Sequence, residues 1–358
     1  MKIFRNTYQY NIDKIGHINV PLCNTLFFDI ETTGFSAAHS KVYLIGCLYY
    51  DSEENLFRTI QWFMDKDNEE DKLIAAFFDF SKDFTHIIHF NGDGFDIPYI
   101  TSKCRYFKLF NGFSALKSID IYRSALVMKN VLKLQNLKQK TIEDFLNLHR
   151  EDKYSGRELI EVYESYLKNK DNESLALLVL HNLDDIKGLL NLLTIFNYAE
   201  IFNGSYNIQS ISIEKNEAVI EARLFYTLPS RISASLNTFY MTAYGNTVKI
   251  KINIYTDELK FFYSNYKDYY FLPEEDCSIH KSVAFYVDKN FRTQAKAANC
   301  YSKKTGNFLP QYKDIISPYF KREYNDKITY FEVTEEFLKD ASAIKAYSLH
   351  ILNLLLKS

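Results

Sequence analysis

At 358 residues with a net charge of -2, the chain has room for two ordinary domains and is not a uniformly basic, histone-like binder. Its 47% hydrophobic and 25% charged residues are those of a globular rather than a disordered protein. No run approaches the ~20 consecutive apolar residues of a membrane helix.

Residues 1–20 read as a polar, aromatic-dotted arm, either a strand or a loop packed on the first domain. Residues 26–34, LFFDIETTG, form a buried strand that runs into a turn at Gly34. A loop over 35–40 leads to a second strand at 42–50 and, past a short acidic turn at 51–54, a third at 56–63. Two short connections in succession predict an antiparallel meander. The periodicity of Leu73, Ile74, Phe77 and Phe78 predicts a helix over 67–83, capped by Asp67 or Asn68. A fourth strand at 85–90 ends at Asn91-Gly92-Asp93-Gly94, and Pro98 sits in the first turn of the helix that follows. A fifth strand is expected at 117–122. Helices are expected at about 135–148, 156–169 with Ser155 as cap, and 172–197. This order gives a mixed, five-stranded α/β sheet with helices on its faces.

A composition break at Asn203-Gly204-Ser205 divides the chain into a domain over 1–203, arm included, and a second α+β domain over 206–358. In the latter, β-type segments are expected at 208–215, 218–225, 238–243, 247–255 and 260–264, with turns at 215–216 and 245–246. A helix is expected at 278–298, a hairpin at 301–310, and one or two closing helices at 335–357. Residues 281–327 carry ten Lys/Arg against four acids, with Tyr286, Phe291, Tyr301 and Phe308 interleaved. That pattern reads either as a solvated face or as a nucleic-acid surface. The five cysteines, Cys23, Cys47, Cys104, Cys277 and Cys300, are odd in number and form no C-x-x-C pair. A reducing compartment is expected and structural zinc is not. The opening residues show no apolar signal core, so a cytoplasmic location without membrane attachment is expected.

The chemistry gathers on the first strand. Asp29 and Glu31 are two apart, so their side chains share one face. Two bare carboxylates pressed together are costly unless a positive group lies between them. A divalent cation with oxygen ligands, magnesium or manganese, answers this. So does a lysine on one carboxylate with the other left at the strand end. Asp96 lies at a helix start just past the fourth strand. His181 and Asp185, at i and i+4, share one face of a largely apolar helix and either serve the site or hydrogen-bond each other.

The segments FDIETTG (28–34), HFNGDGFDIP (89–98) and HNLDD (181–185) together resemble the DEDD exonucleases of the ribonuclease-H-like superfamily. The stretch 136–156 with Tyr163 and Tyr166 is similar to the YprB-like branch. The resemblance covers about 22–198. It implies a ribonuclease-H-like fold and a 3′–5′ exonuclease that hydrolyses DNA or RNA with two divalent cations, Mg2+ or Mn2+. In it, Asp29 bridges the ions, Glu31 and Asp185 complete the first site, and Asp96 holds the second. His181 stands where one branch carries Tyr, and would orient or deprotonate the attacking water. A single-stranded nucleic-acid end is the implied partner. Thr32, Thr33, Asn91 and Phe95 are candidate substrate contacts, each with a structural alternative: turn formation for the threonines, loop capping for Asn91, core packing for Phe95. A non-cutting nucleic-acid-binding module and an internally cutting endonuclease are the competing functions.

Overall fold

The structure, a computed structural model, describes residues 1–148 and 156–357. They form two compact units, Met1–Glu200 with Leu228–Ser230, and Ile201–Thr227 with Arg231–Ser358.

In the first unit the strands are β1 (Lys2–Tyr8), β2 (Thr25–Thr32), β3 (Val42–Asp51) and β4 (Leu56–Phe63). Helix α1 (Glu70–Ser81), strand β5 (His86–His89), helix α2 (Asp96–Phe107) and strand β6 (Lys117–Asp120) follow. The helices α3 (Ile121–Leu132), α4 (Gln139–Phe145), α5 (Gly156–Asn169) and α6 (Asn172–Leu192) come next, and the boundary between the units falls within α7 (Ile195–Asn203). The sheet order is β1-β4-β3-β2-β5-β6. The meander is antiparallel, while β5 and β6 join parallel to β2. This is the expected mixed α/β sheet with one strand more: the arm pairs with β4 from Lys2↔Phe63 to Tyr8↔Phe57.

Alternation along β2 sorts its two faces. Leu26, Phe28 and Ile30 join the large core under α1, where Phe28 stacks on Phe77 with ring centroids 5.1 Å apart. Asp29 and Glu31 face the other way, toward α6. Near Glu31 the pairing with β3 shifts register, from Glu31↔Leu44 to Thr32↔Val42. Such a bulge re-aims side chains at a sheet rim.

Several boundaries differ from expectation for visible reasons. Helix α1 begins at Glu70, not Asp67, because Asp67 is paired with Lys41 at 2.6 Å. The strand expected at 117–122 ends at Asp120, whose carboxylate accepts from the Tyr122 amide and so caps α3, a helix the periodicity did not show. The helix expected at 135–148 shortens to α4, and the one at 172–197 breaks after Leu192. Ser155, expected as a cap, and part of the 136–156 stretch lie outside the described residues.

The second unit holds strands β7 (Tyr206–Glu214), β8 (Glu217–Leu236), β9 (Phe239–Asn253), β10 (Tyr255–Phe262), β11 (Tyr269–Leu272) and β12 (Cys277–His280). It continues with α8 (Lys281–Ala284), β13 (Thr293–Gln294), β14 (Tyr301–Gln311), β15 (Tyr319–Phe320), β16 (Thr329–Glu332), α9 (Glu335–Lys339) and α10 (Ala341–Leu355). Its three sheets run β7-β8-β9, β12-β11-β13 and β10-β14-β16-β15. The turn expected at 245–246 is absent. β9 runs through it, with Gly245 at φ +55, a value glycine takes without strain. The hairpin expected around Gly306 is one continuous strand, β14, paired with β10 over Tyr301–Phe308 and with β16 over Phe308–Gln311. Of the helix expected at 278–298, only Lys281–Ala284 is α-helical. The residues on either side enter β12 and β13, and pairing with β11 overrides their helical propensity.

Candidate active site

Helix α6 is capped by Asp171, whose carboxylate accepts from the Ser174 amide at 2.7 Å. It buries Leu175, Leu178, Asn182, Ile186 and Leu189 in one stripe and lies across β2, β3 and β4. His181 and Asp185 flank that stripe. The imidazole Nε2 lies 3.2 Å from Asp185 Oδ2 and 3.6 Å from Glu31 Oε1. One donor atom from each of Glu31, His181 and Asp185 falls within 4.8 Å of the other two, a span one cation can bridge. Tyr43 contributes a long hydroxyl contact to Glu31 Oε2, 3.5 Å.

Asp29 stands beside this triplet, and charge crowds it. Burial pushes its carboxyl well above the usual carboxylate range, and Asp185, Asp96 and Glu31 push it the same way. Asn182 Nδ2 alone works against them, donating to Asp29 Oδ2 at 3.0 Å. Asp96 is the first residue of α2 and is buried. β5 pairs with β2 only as far as Phe27. Just beyond, the Asp96 carboxylate takes the amide of Ile30 along with its own. Burial nevertheless raises it to about 7. Of the four carboxylates, Glu31 and Asp185 close together with His181, while Asp29 and Asp96 lie outside that triplet, near enough for Asp29 to feel the charge of the other three. Carboxylate oxygens with one imidazole could hold a divalent cation. The like-charge strain on Asp29 is what a cation would relieve.

The loop before Asp96 is held by a network that the sequence did not single out. Asn91, at φ 59, donates its amide to Asp120 Oδ1 at 2.8 Å. The Gly92 amide donates to His89 Nδ1 at 3.0 Å, leaving Nε2 to meet Ser118 Oγ at 2.8 Å. Burial lowers the His89 pKa, favouring the neutral ring. Asp93 closes the ring by accepting from Ser118 and pairing with Arg123 at 3.0 Å.

Among the candidate substrate contacts, Thr32 Oγ1 donates to the Gly34 carbonyl at 2.9 Å, and Thr33 exchanges two 2.9 Å bonds with the Lys41 backbone. Both shape the turn. Phe95 is partly buried and packs on Tyr99, with Phe35, 94% exposed, edge-on to it at 6.2 Å.

Asn182 is the residue sequence reasoning missed. It is fully buried, and Gln61 Nε2 donates both to its Oδ1 and to the Val179 carbonyl, each at 2.9 Å. The Val179 carbonyl can only accept, so Gln61 must present its NH2, Asn182 its oxygen, and Asn182 Nδ2 is left for Asp29. Asp29, Gly46 and Gln61 form one cross-strand row under this amide. A Cβ on Gly46 would overlap Asn182 Oδ1. The only visible signal was a polar residue inside an apolar helical stripe.

A family model described as the RNase_H superfamily matches residues 26–197, which form a ribonuclease-H-like fold. No curated protein matches the chain. Among solved structures, Escherichia coli exonuclease I, zinc-bound in a complex with single-stranded DNA, is 12% identical over 55% of this chain and 53% of its own, with a TM-score of 0.30. The family B DNA polymerase of the hyperthermophilic archaeon Pyrobaculum calidifontis is 13% identical over 73% of this chain and 40% of its own, at 0.37. Exonuclease I from Methylocaldum szegediense is 15% identical over 55% and 54%, at 0.28. The chain spans about half the length of the exonuclease I chains it matches. No helix of the described residues is long and apolar enough to cross a membrane.

Proposed function

We propose that the first unit is a metal-dependent nuclease that removes nucleotides from the 3′ end of a single-stranded nucleic acid. The observation that carries this reading is the close set of Glu31, His181 and Asp185 beside Asp29, whose carboxyl is pushed toward protonation by burial and then by Asp185, Asp96 and Glu31. The family match over 26–197 supports it. Asp29, Glu31 and Asp185 would hold one Mg2+ or Mn2+, and Asp29 with Asp96 a second. Bound there, the two cations would stabilise charge on both the attacking and leaving oxygens of a phosphodiester.

The chain's own groups supply the rest. Asn182 fixes the Asp29 carboxylate by occupying Oδ2. His181 stands between Glu31 and Asp185 and accepts the proton of the attacking water. The loop of Asn91 to Phe95, fastened through Asp120, sets the position of Asp96. Thr32, Thr33, Asn91 and Phe95 would contact the substrate's end, with Phe95 offering a ring for a base.

Asp29→Ala removes a ligand and a source of repulsion, so hydrolysis should vanish with the fold intact. The assay uses a 5′-labelled single strand with manganese, where 3′ removal gives a descending ladder and a circular strand survives. An Asp29→Ala protein that degrades the strand as fast as the parent refutes the proposal. His181→Phe should lower kcat by about 10²–10⁴-fold, with a much smaller change in Mn2+ affinity by calorimetry. An equal loss of Mn2+ binding would make the imidazole a ligand instead of the proton acceptor.

A further inference from the structure

The basic, aromatic stretch of the second unit separates into two parts of different character. In its later half three of the six cations are paired: Lys303 with Asp276 at 2.5 Å, Lys304 with Glu332 at 2.5 Å and Arg322 with Asp257 at 3.3 Å. The aromatics Tyr301 and Phe308 there are core residues of β14. Residues 281–296 are the opposite. Among the described residues, none of Lys281, Lys289, Arg292 and Lys296 has a carboxylate partner. The one acid of this stretch, Asp288, is spent capping the Asn290 amide.

Large apolar side chains project between these cations. Val283 is 58% exposed, Phe285 79%, Tyr286 88% and Phe291 52%. A cluster of this kind on a surface is costly to hydrate and marks a binding face. The platform beneath it is fixed. The guanidinium of Arg292 lies 4.9 Å from the Tyr270 ring and donates to the Ala284 carbonyl, while Lys281 lies 5.7 Å from the same ring. Phe285 and Tyr286 stand at 90° to one another, centroids 5.6 Å apart, so their contact takes up at most one ring face.

We infer that residues 281–296 form a single-stranded nucleic-acid-binding surface, with Phe285 and Tyr286 stacking on bases and Lys281, Lys289 and Lys296 taking phosphates. Unpaired cations alternating with exposed rings match a chain that alternates phosphates with flat bases. An anionic lipid surface would also attract the charge. It gives no reason for rings held edge-to-face on a cation-braced support, and it is tested as the alternative. The inference does not need catalysis by the first unit.

The test measures fluorescence anisotropy of a labelled oligothymidylate with the full chain in chelator, so that nothing is cut. Two variants are compared with the parent: Phe285→Ala/Tyr286→Ala, and Lys281→Gln/Lys289→Gln/Lys296→Gln. All five side chains are exposed, so the fold is retained, which circular dichroism checks. Loss of stacking should weaken binding by about fivefold or more. Loss of three phosphate contacts should flatten the slope of log affinity against log salt by about two. The inference is overturned if the parent does not bind at low salt, or if either variant binds as the parent does. It is also overturned if the variants lose binding to phosphatidylserine vesicles while keeping the oligonucleotide. Failure of the nuclease reading shows instead as binding without cleavage when manganese is supplied, and leaves this measurement standing.

Discussion

Replacing Asp96 by Asn should stabilise the metal-free protein, and the gain should depend on pH. In the fold this carboxyl titrates at about 7, against about 3.9 in an unfolded chain. The sign follows from proton counting. Between those values the folded state binds more protons than the unfolded one, so stability falls as pH rises. Below pH 4 the carboxyl is neutral in both states and costs nothing. Above pH 7 it is ionised in both, and the penalty reaches about 4 kcal/mol. Asparagine keeps an oxygen for the Ile30 amide and carries no charge at any of these pH values. The variant should therefore melt about 10 °C above the parent at pH 8 in chelator, taking about 2–4 °C per kcal/mol for a domain of this size. At pH 5 the margin should shrink to about a third. Scanning calorimetry across pH reads this directly. Manganese should close the gap by stabilising the parent, by about 2.7 kcal/mol at a hundredfold excess over Kd. A variant no more stable than the parent at pH 8, or equally favoured at both pH values, would show that Asp96 does not sit ionised in a crowded, dehydrated site.

The remaining expectations concern what holds the site in place. Asn182→Ala removes the charge-assisted bond to Asp29 and should cost about 1.5–3 kcal/mol, read by urea unfolding, together with weaker Mn2+ binding by calorimetry. Unchanged values in both would remove Asn182 from the site. Gly46→Ala should cost about 1–3 kcal/mol through overlap with the Asn182 amide. Combined with Asn182→Ala it should cost less than the two separately, and strict additivity would deny the contact. Lys103 and Glu70 are both buried, 3.0 Å apart, and Glu70 also takes the Val42 amide. Lys103→Ala should cost about 3–5 kcal/mol by leaving a buried charge unpaired. Adding Glu70→Gln should recover part of that loss, and a double variant no better than the single would count against it.

Local pattern carried much of the first unit. Alternation placed Asp29 and Glu31 on one face of β2, and the pleat that does so acts over two residues. The glycine-rich turn and Pro98 put Asp96 at the start of α2, and a spacing of four set His181 beside Asp185. Each of these is a statement about neighbours in the chain, where backbone geometry alone decides which way a side chain leaves.

What stayed hidden depends on neighbours far along the chain. The arm is a strand because β4 offers an open edge, not because of its own alternation. Asn182 differs little from any polar helical residue until α6 crosses β2, β3 and β4. There, a glycine at 46 and a glutamine at 61, 121 residues away, turn its amide toward Asp29. Likewise Tyr301 and Phe308 read like Tyr286 and Phe291 in the sequence, yet the first two are buried on a strand paired with β10 and the others are exposed. Chain-local geometry determines which residues face together. Burial, and with it the strain on a carboxylate or the exposure of a ring, is a property of the packed surface and is decided only when distant segments close over it.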